Sequence, residues 1–307
     1  MIEHLAFGIV IDDIIMPDGQ QHLGVLGGGG PQTAWGMAAA LQSGASVGLV
    51  ALVGEDLDRA SLATMTNAGI NLAGLQLLPD NGLTPRAWQE INASGGRTHI
   101  WKVPPPTKPF VSDWQRLPES YHQAKSMHWG LHPENPGIPF ARTLTELGRK
   151  VSLETFKPPE TPLIVDELKS LLAACTVFSP NWHEAAGITG SNNYNTIIKR
   201  FRDCGGKILA LRRGDQGADV WDLQQNVAVH VPAVPATVVD TVGAGNAFCG
   251  ALLVTLDQGL KRATAHGVAA ASYMIEQIGL PLHLPAPEEY QQRFDYAYER
   301  ALDFRLL

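Results

Sequence analysis

The chain has 307 residues, of which 45% are apolar and 17% charged, a composition that is ordinary for a globular protein with a sizeable core. Its 23 basic and 30 acidic residues give a net charge of −7, which does not favour binding to nucleic acid. The chain contains no run of about 18 apolar residues and its first four residues lack a signal-peptide pattern, so the sequence predicts a cytoplasmic protein without a membrane-spanning helix.

Short apolar runs alternate with helix-like stretches along the chain. The first predicted strand covers 5–11, and a predicted helix covers 33–42, with Pro31 near its start and Gly44 beyond its end. Further strands are predicted at 47–53, 126–131, 151–153, 176–179 and 207–211. This alternation predicts one α/β domain over residues 1–307, with a mainly parallel central sheet between two layers of helices.

One region departs from the alternation and predicts a small additional sheet. Residues 84–103 resemble a β-hairpin around a turn at 93–96, and residues 14–26 could add strands beside it. We expect these two segments to form a β lid over a site, with an ordinary surface hairpin as the alternative. Trp88 and Trp101 on this hairpin could stack on a ligand, close the lid sheet or form a dimer contact.

The thiol and imidazole side chains do not form a recognisable metal motif. Cys175, Cys204 and Cys249 are too few and too far apart for a disulfide framework or a zinc site. His128 and His132 follow a predicted strand but lack a third and fourth ligand at suitable spacing for zinc. They could instead form a wall of a substrate pocket.

The strongest functional signal is the segment around Gly243-Ala244-Gly245, where a β-branched stretch leads into a helix. A glycine-rich helix start exposes unpaired N–H groups at the positive end of the helix dipole, and such a site binds anions. It could stabilise charge on a transferring phosphoryl group, although a tight strand-to-helix turn is the simpler alternative. Asp240 and Thr241 precede it and place a carboxylate where Mg²⁺ would be useful.

Residues 240–246, Asp-Thr-Val-Gly-Ala-Gly-Asn, resemble the signature of ribokinase-like (PfkB-type) sugar and nucleoside kinases. Weaker matches to the same family follow one another over nearly the whole chain. The resemblance implies a ribokinase-like three-layer fold with a β lid and ATP-dependent phosphorylation of a hydroxyl on a sugar, sugar acid or nucleoside. It also implies ATP and Mg²⁺ as cofactors, with an optional monovalent cation. The oligomeric state stays open, with a homodimer through the lid hairpin as one candidate.

On the substrate side, the resemblance assigns residues from the first strand and the first glycine block. Asp13 matches by spacing the aspartate that binds substrate hydroxyls, with Asp12 as the alternative. Gly28 and Gly29, followed by Gln32, resemble the diglycine substrate-binding segment. Arg86 on the lid hairpin could reach an anionic group of the substrate, although exposed arginines are common on hairpins.

On the nucleotide side, the resemblance assigns residues from the C-terminal half. Asn181 and Glu184 match an N-x-x-E motif that serves the Mg²⁺-bound phosphates, with the metal held through water. The remaining nucleotide-binding candidates are Arg212, Gly214, Gly217, Thr241 and Ala270. Without the resemblance, Asn181 could be a simple turn residue and Glu184 an acid favoured at a helix start.

Asn246 is the main departure from the family pattern. An aspartate at this position takes the proton from the attacking hydroxyl, whereas an asparagine amide cannot accept a proton at neutral pH. A general base contributes about 10²–10⁴-fold, while phosphoryl transfer depends mostly on positioning and charge stabilisation. The chain could therefore be a slow kinase, a kinase with another base such as Asp12 or Asp13, or a pseudokinase that only binds.

Two further expectations follow from the sequence. If position 246 still needs a base, Asn246→Asp should raise the rate. A nicotinamide-dependent oxidoreductase is disfavoured because no G-x-G-x-x-G follows the first predicted strand.

Overall fold

The computed structural model describes residues 1–91, 97–105, 114–131, 138–155 and 157–305. Its strands, in chain order, are β1 (His4–Phe7), β2 (Val10–Ile15), β3 (Gln21–Gly27), β4 (Val47–Val53), β5 (Asn71–Leu77), β6 (Arg86–Ile91), β7 (Arg97–Val103), β8 (Ser126–Leu131), β9 (Lys150–Thr155), β10 (Val177–Phe178), β11 (Ile208–Arg212), β12 (Ala218–Asp222), β13 (Val227–Val231) and β14 (Leu302–Phe304). The α-helices are α1 (Gly29–Leu41), α2 (Ala63–Asn67), α3 (Ile138–Glu146), α4 (Val165–Ala173), α5 (Trp182–Thr189), α6 (Tyr194–Asp203), α7 (Ala244–Thr255), α8 (Leu260–Met274) and α9 (Pro287–Glu299).

Ten strands form the main sheet, in the order β14-β13-β12-β11-β10-β9-β8-β1-β4-β5. Neighbours from β11 to β5 pair in parallel, whereas β12, β13 and β14 extend the sheet with antiparallel pairs. The mainly parallel sheet predicted from the sequence is therefore confirmed.

Helices cover both faces of this sheet because successive strand residues point to opposite sides. Val47, Leu49 and Ala51 pack into one apolar core with α1, α7, α8 and α9. Val50 packs into a second core with residues of α3, α4, α5 and α6. The three-layer architecture follows from this alternation. Within the described residues, no helix is both long enough and apolar enough to cross a membrane.

The first predicted strand, 5–11, is split in the structure. β1 ends at Phe7, and Gly8 follows with a φ of 92°, a conformation that favours glycine. The Gly8 carbonyl accepts a hydrogen bond from Gly30 N at 2.9 Å, which fixes the break. The chain leaves the main sheet here and β2 begins in a second sheet.

The second sheet has four strands in the order β3-β2-β6-β7. β2 and β3 form one antiparallel hairpin and β6 and β7 another, while β2 pairs with β6 in parallel. The strands predicted within 14–26 and 84–103 are therefore present, with β2 starting earlier, at Val10. The turn predicted at 93–96 lies outside the described residues.

The helix predicted at 33–42 begins four residues earlier, at Gly29. Pro31 lies in its first turn, where a missing N–H costs no intrahelical hydrogen bond. Gly28 is therefore the N-cap of α1, and Gly29 and Gly30 lie in its first turn.

Candidate active site

A cavity of about 1380 Å³ lies at the carboxyl ends of β1, β4, β8, β9 and β11. In open α/β sheets this edge is where ligands bind, because loops rather than helices cover it. Gln89, His99 and Trp101 of the small sheet line the cavity on one side. Its other walls include the segments 28–29 and 241–246.

The two aspartates of β2 lie on opposite faces of the strand. Asp12 lines the cavity, and its Oδ1 accepts a hydrogen bond from Gln89 Nε2 at 2.9 Å. Asp13 Oδ1 accepts from Gly24 N at 2.9 Å, and its Oδ2 lies 3.8 Å from Arg86 Nη1. Neither Asp13 nor Arg86 is among the residues that line the cavity. The geometry therefore favours Asp12, the alternative from the sequence, over Asp13 and Arg86 as a substrate ligand.

The glycine block brings the start of α1 close to these groups. A Cβ atom on Gly27 would overlap Asp12 Oδ2, and one on Gly30 would overlap the Gly8 carbonyl. Gly28 has a φ of 82° and is the N-cap of α1. Gly28, Gly29 and Gln32 all line the cavity, so the segment predicted to bind substrate lies at the site.

The predicted anion site forms the start of α7. Gly243 is the N-cap with a φ of 84°, and Ala244 begins the helix. A Cβ atom on Gly245 would overlap the Arg212 guanidinium, so glycine permits an arginine directly beside the helix start. Asp240 is buried and its Oδ1 accepts from Val242 N at 2.9 Å, which shapes the turn before Gly243.

Asn181 and Glu184 form a capping box at the start of α5. Glu184 Oε2 accepts from Asn181 N at 2.8 Å, Oε1 accepts from Asn181 Nδ2 at 2.9 Å, and Asn181 Oδ1 accepts from Glu184 N at 2.9 Å. Both residues line the cavity. Oxygen donors in this arrangement suit Mg²⁺, and the hydrogen bonds to both carboxylate oxygens favour a metal held through water.

Most of the other predicted nucleotide residues also lie at the cavity, namely Arg212, Gly214, Gly217 and Thr241. Ala270 does not, because it is fully buried in the core. Val268, Ala271 and Ser272 of the same helix line the cavity instead. Helix α8 therefore borders the cavity through the neighbours of Ala270 and not through Ala270 itself.

Glu154, which the sequence analysis missed, lies in the middle of the site. This residue is near the end of β9, is 4% exposed and lines the cavity. Its Oε1 accepts a hydrogen bond from Asn246 Nδ2, and its Oε2 pairs with Arg212 Nη2 at 2.8 Å. An acidic residue at the carboxyl end of a predicted parallel strand was the available signal.

Arg212 joins this carboxylate to the rest of the site. It donates to the Ser179 carbonyl at 2.7 Å and lies 3.3 Å from Glu184 Oε2. Burial alone would lower the pKa of the guanidinium, but the charges of Glu154 and Glu184 raise it above its ordinary value. Arg212 therefore stays charged and supplies fixed positive potential beneath the start of α7.

His128, Glu154 and Cys249 place three ligand atoms within 4.8 Å of one another. Burial, together with the charge of Glu154, raises the pKa of the Cys249 thiol to about 12, so the thiolate that a metal needs is disfavoured. Arg212 already neutralises the carboxylate. The cluster fits a buried hydrogen-bond network better than a metal centre. His132 lies outside the described residues.

Comparison with known proteins agrees with this geometry. Residues 1–287 match the family model described as "pfkB family carbohydrate kinase". The chain belongs to the pfkB family. It is therefore placed among the sugar and nucleoside kinases, a family of phosphotransferases that use a hydroxyl group as acceptor.

Two curated relatives align over most of the pfkB chain. A cytidine kinase of Thermococcus kodakarensis is 27% identical over 288 residues, which is 91% of this chain and 98% of the relative. An ATP-dependent ribose-1-phosphate kinase of Halopiger xanaduensis is 27% identical over 273 residues, covering 85% of this chain and 86% of the relative.

Solved structures share the fold. Arabidopsis thaliana ribokinase, complexed with ribose and ATP, superposes with a TM-score of 0.74 at 20% identity, covering 96% of this chain and 99% of the other. A Burkholderia thailandensis nucleoside kinase with inosine gives a TM-score of 0.74 at 18% identity, covering 96% and 97%. The fold is ribokinase-like, as the sequence predicted.

Proposed function

We propose that this chain transfers the γ-phosphoryl group of ATP to a hydroxyl of a sugar, sugar acid or nucleoside. The observation that carries the proposal is that one cavity is lined both by the Asp12 carboxylate and by the helix start at Gly243–Gly245. Carboxylates bind vicinal hydroxyls, and helix starts bind phosphates. The two halves of the reaction therefore have matching partners within one cavity.

The chain's own residues would orient the substrate and stabilise charge. Asp12 accepts hydrogen bonds from the substrate, and the close approach of Gly28 and Gly29 lets the substrate lie against the backbone. The N–H groups of residues 243–245 and the Arg212 guanidinium stabilise negative charge that develops on the transferring group. Mg²⁺, when bound near Asn181 and Glu184, would neutralise phosphate charge.

The alternative is a protein that binds nucleotide and sugar without turnover, and Asn246 is the observation that favours it. Loss of the base alone leaves the positioning and the anion site intact. Since these supply most of the acceleration in phosphoryl transfer, we favour turnover.

A substrate panel with product detection tests the proposal. Purified protein is incubated with ATP, Mg²⁺ and cytidine, inosine, ribose, deoxyribose or ribose 1-phosphate, and ADP and the phosphorylated product are measured. We expect a phosphorylated product with at least one acceptor, and its loss when EDTA removes Mg²⁺. Calorimetric binding of ATP and an acceptor without any product would instead support the binding-only alternative.

Other expectations stay predictions. A homodimer through the small sheet is testable by sedimentation of the wild type and of a Trp88→Ala variant. The requirement for a monovalent cation is testable by exchanging K⁺ for Na⁺ in the assay. The cytoplasmic location also stays a prediction.

A further inference from the structure

Glu154 is a buried carboxylate at the point where the substrate segment and the anion site meet. The amide Nδ2 of Asn246, which donates to Glu154 Oε1, would lie 3.3 Å from a Cβ atom placed on Gly29. Asn246 follows Gly245 directly in the helix start. The Glu154 carboxylate is thus hydrogen-bonded to the side chain at position 246 and borders the same cavity.

Asn246 and Glu154 are chemically matched to each other. An aspartate at 246 would bring a second negative charge against the Glu154 carboxylate, and two carboxylates this close cannot both ionise easily. The asparagine amide donates a hydrogen bond instead and stabilises the ionised form of Glu154. This part of the site therefore contains one carboxylate, which belongs to Glu154 on β9 rather than to residue 246 on α7.

We propose that Glu154 is the general base of this enzyme, accepting the proton from the attacking hydroxyl in place of a carboxylate at position 246. This inference rests on the phosphotransferase function proposed above. Asn246 then holds one carboxylate oxygen of the base by its amide, and Arg212 pairs with the other oxygen.

The step balances without any further reactant. The substrate O–H bond breaks and its proton goes to a Glu154 carboxylate oxygen. The substrate oxygen forms a bond to the γ-phosphorus of ATP, while the bond from that phosphorus to the bridging oxygen breaks and leaves ADP. Glu154 then releases the proton to solvent through the cavity.

Glu154 could instead act only through Arg212, by holding the guanidinium beneath the start of α7. A positioning role of this kind and a base role differ in measurable ways. Loss of positioning would also lower kcat, because the guanidinium stabilises charge on the transferring group, but a carboxylate moved to position 246 would not repair it. Loss of a base would lower kcat, and a carboxylate at position 246 should restore part of it.

Four proteins separate these roles: the wild type, Glu154→Gln, Asn246→Asp and the double variant with both changes. We expect Glu154→Gln to lower kcat by about 10²–10⁴-fold with KM for ATP changed less than about threefold. Asn246→Asp alone should lower kcat by about tenfold, because one of the two facing carboxylates stays protonated or displaced. The double variant should exceed Glu154→Gln by at least about tenfold, since it regains a lone carboxylate.

The pH dependence provides a readout that a structural role would not change. The groups that face Glu154 are Arg212 from β11, His128 from β8 at 3.4 Å, and Cys249 and Asn246 from α7. If Glu154 is the base, log(kcat/KM) rises with pH through an acid limb that Glu154→Gln removes. The limb should return in the double variant and persist in His128→Gln.

Asp219→Asn is the matched control, because Asp219 is also buried and pairs with an arginine, Arg213, at 3.1 Å, outside the cavity lining. It should lower thermal stability about as much as Glu154→Gln while kcat changes less than about threefold. Two results would overturn the base role while leaving the kinase function intact. One is a Glu154→Gln variant that keeps at least a third of wild-type kcat, and the other is a double variant no faster than Glu154→Gln. Wild-type protein that binds ATP and acceptors but forms no product overturns both.

Discussion

The starts of α1 and α7 are alike in sequence but differ in the charge beside them. Both have a glycine N-cap with positive φ, Gly28 and Gly243, and both open onto the cavity. The two helices run side by side in the same direction: a Cβ atom on Gly29 would lie 3.3 Å from Asn246 Nδ2, and four residues further along each helix a Cβ atom on Gly250 would overlap Thr33. Their N-termini therefore meet at the same edge of the sheet.

The charged residues packed against the starts of α1 and α7 have opposite signs. The segment before α1 packs against the Asp12 carboxylate, so it favours hydroxyl donors over a phosphate. The start of α7 packs against the Arg212 guanidinium, which adds to the positive end of its dipole. In our proposal, the start of α1 therefore takes the hydroxyl donor and the start of α7 takes the phosphate.

The largest expected effect comes from displacing the Arg212 guanidinium beside the start of α7. In Gly245→Val, the new side chain displaces an arginine held by Ser179, Glu154 and Glu184. We expect kcat to fall by at least about 10³-fold, because both the N–H donors and the guanidinium move. Steady-state turnover with saturating ATP and Mg²⁺ measures it.

Gly44→Ala controls for backbone crowding, because a Cβ atom there would overlap the Ala68 carbonyl and Gly44 is not among the residues lining the cavity. It should lower the melting temperature without changing kcat per folded molecule. Turnover by Gly245→Val within tenfold of the wild type would show that α7 is not the phosphate site.

A smaller effect is expected near the start of α1, from removing the negative charge of Asp12. Asp12→Asn should raise KM for the acceptor by about 10²-fold, because the carboxylate hydrogen bonds to its hydroxyls weaken, while KM for ATP stays within about threefold. Asp13→Asn makes the same change on the opposite face of β2. If Asp13→Asn had the larger effect on acceptor KM, the assignment of the substrate carboxylate would be reversed.

The sequence predicted the elements whose signals are local. The strands at 47–53 and 126–131 agree residue for residue, because the first is a nearly continuous apolar run and in the second Met127, Trp129 and Leu131 alternate with other residues. The break at Gly8 was missed, since an apolar run through a glycine does not reveal a positive φ. Likewise, alternation along β2 placed Asp12 and Asp13 on opposite faces but did not indicate which face borders the cavity.

The Glu154–Asn246 pair could not be predicted because it is a tertiary contact. The two residues are 92 positions apart, and only the packing of β9 against α7 brings them together. The sequence showed a missing carboxylate at 246, and the structure shows another carboxylate facing that position. The expectation that Asn246→Asp raises the rate is therefore reversed in our proposal.

The smallest expected effect tests whether the two helix starts communicate through Asn246. A Cβ atom on Gly29 would lie 3.3 Å from Asn246 Nδ2, so Gly29→Ala should push the amide by a few tenths of an ångström. Because the amide holds Glu154, we expect kcat to fall by about three- to tenfold, in the range that such misplacement costs.

A double-mutant cycle with Asn246→Ala separates this coupling from a direct effect on the acceptor. With the amide removed, the alanine at 29 has nothing to displace, so its effect on kcat should shrink to less than about twofold, as expected for coupled neighbours. An equal effect of Gly29→Ala in both backgrounds would mean that the α1 start contacts the substrate independently of Asn246. The starts of α1 and α7 would then act as two separate sites rather than as one coupled pair.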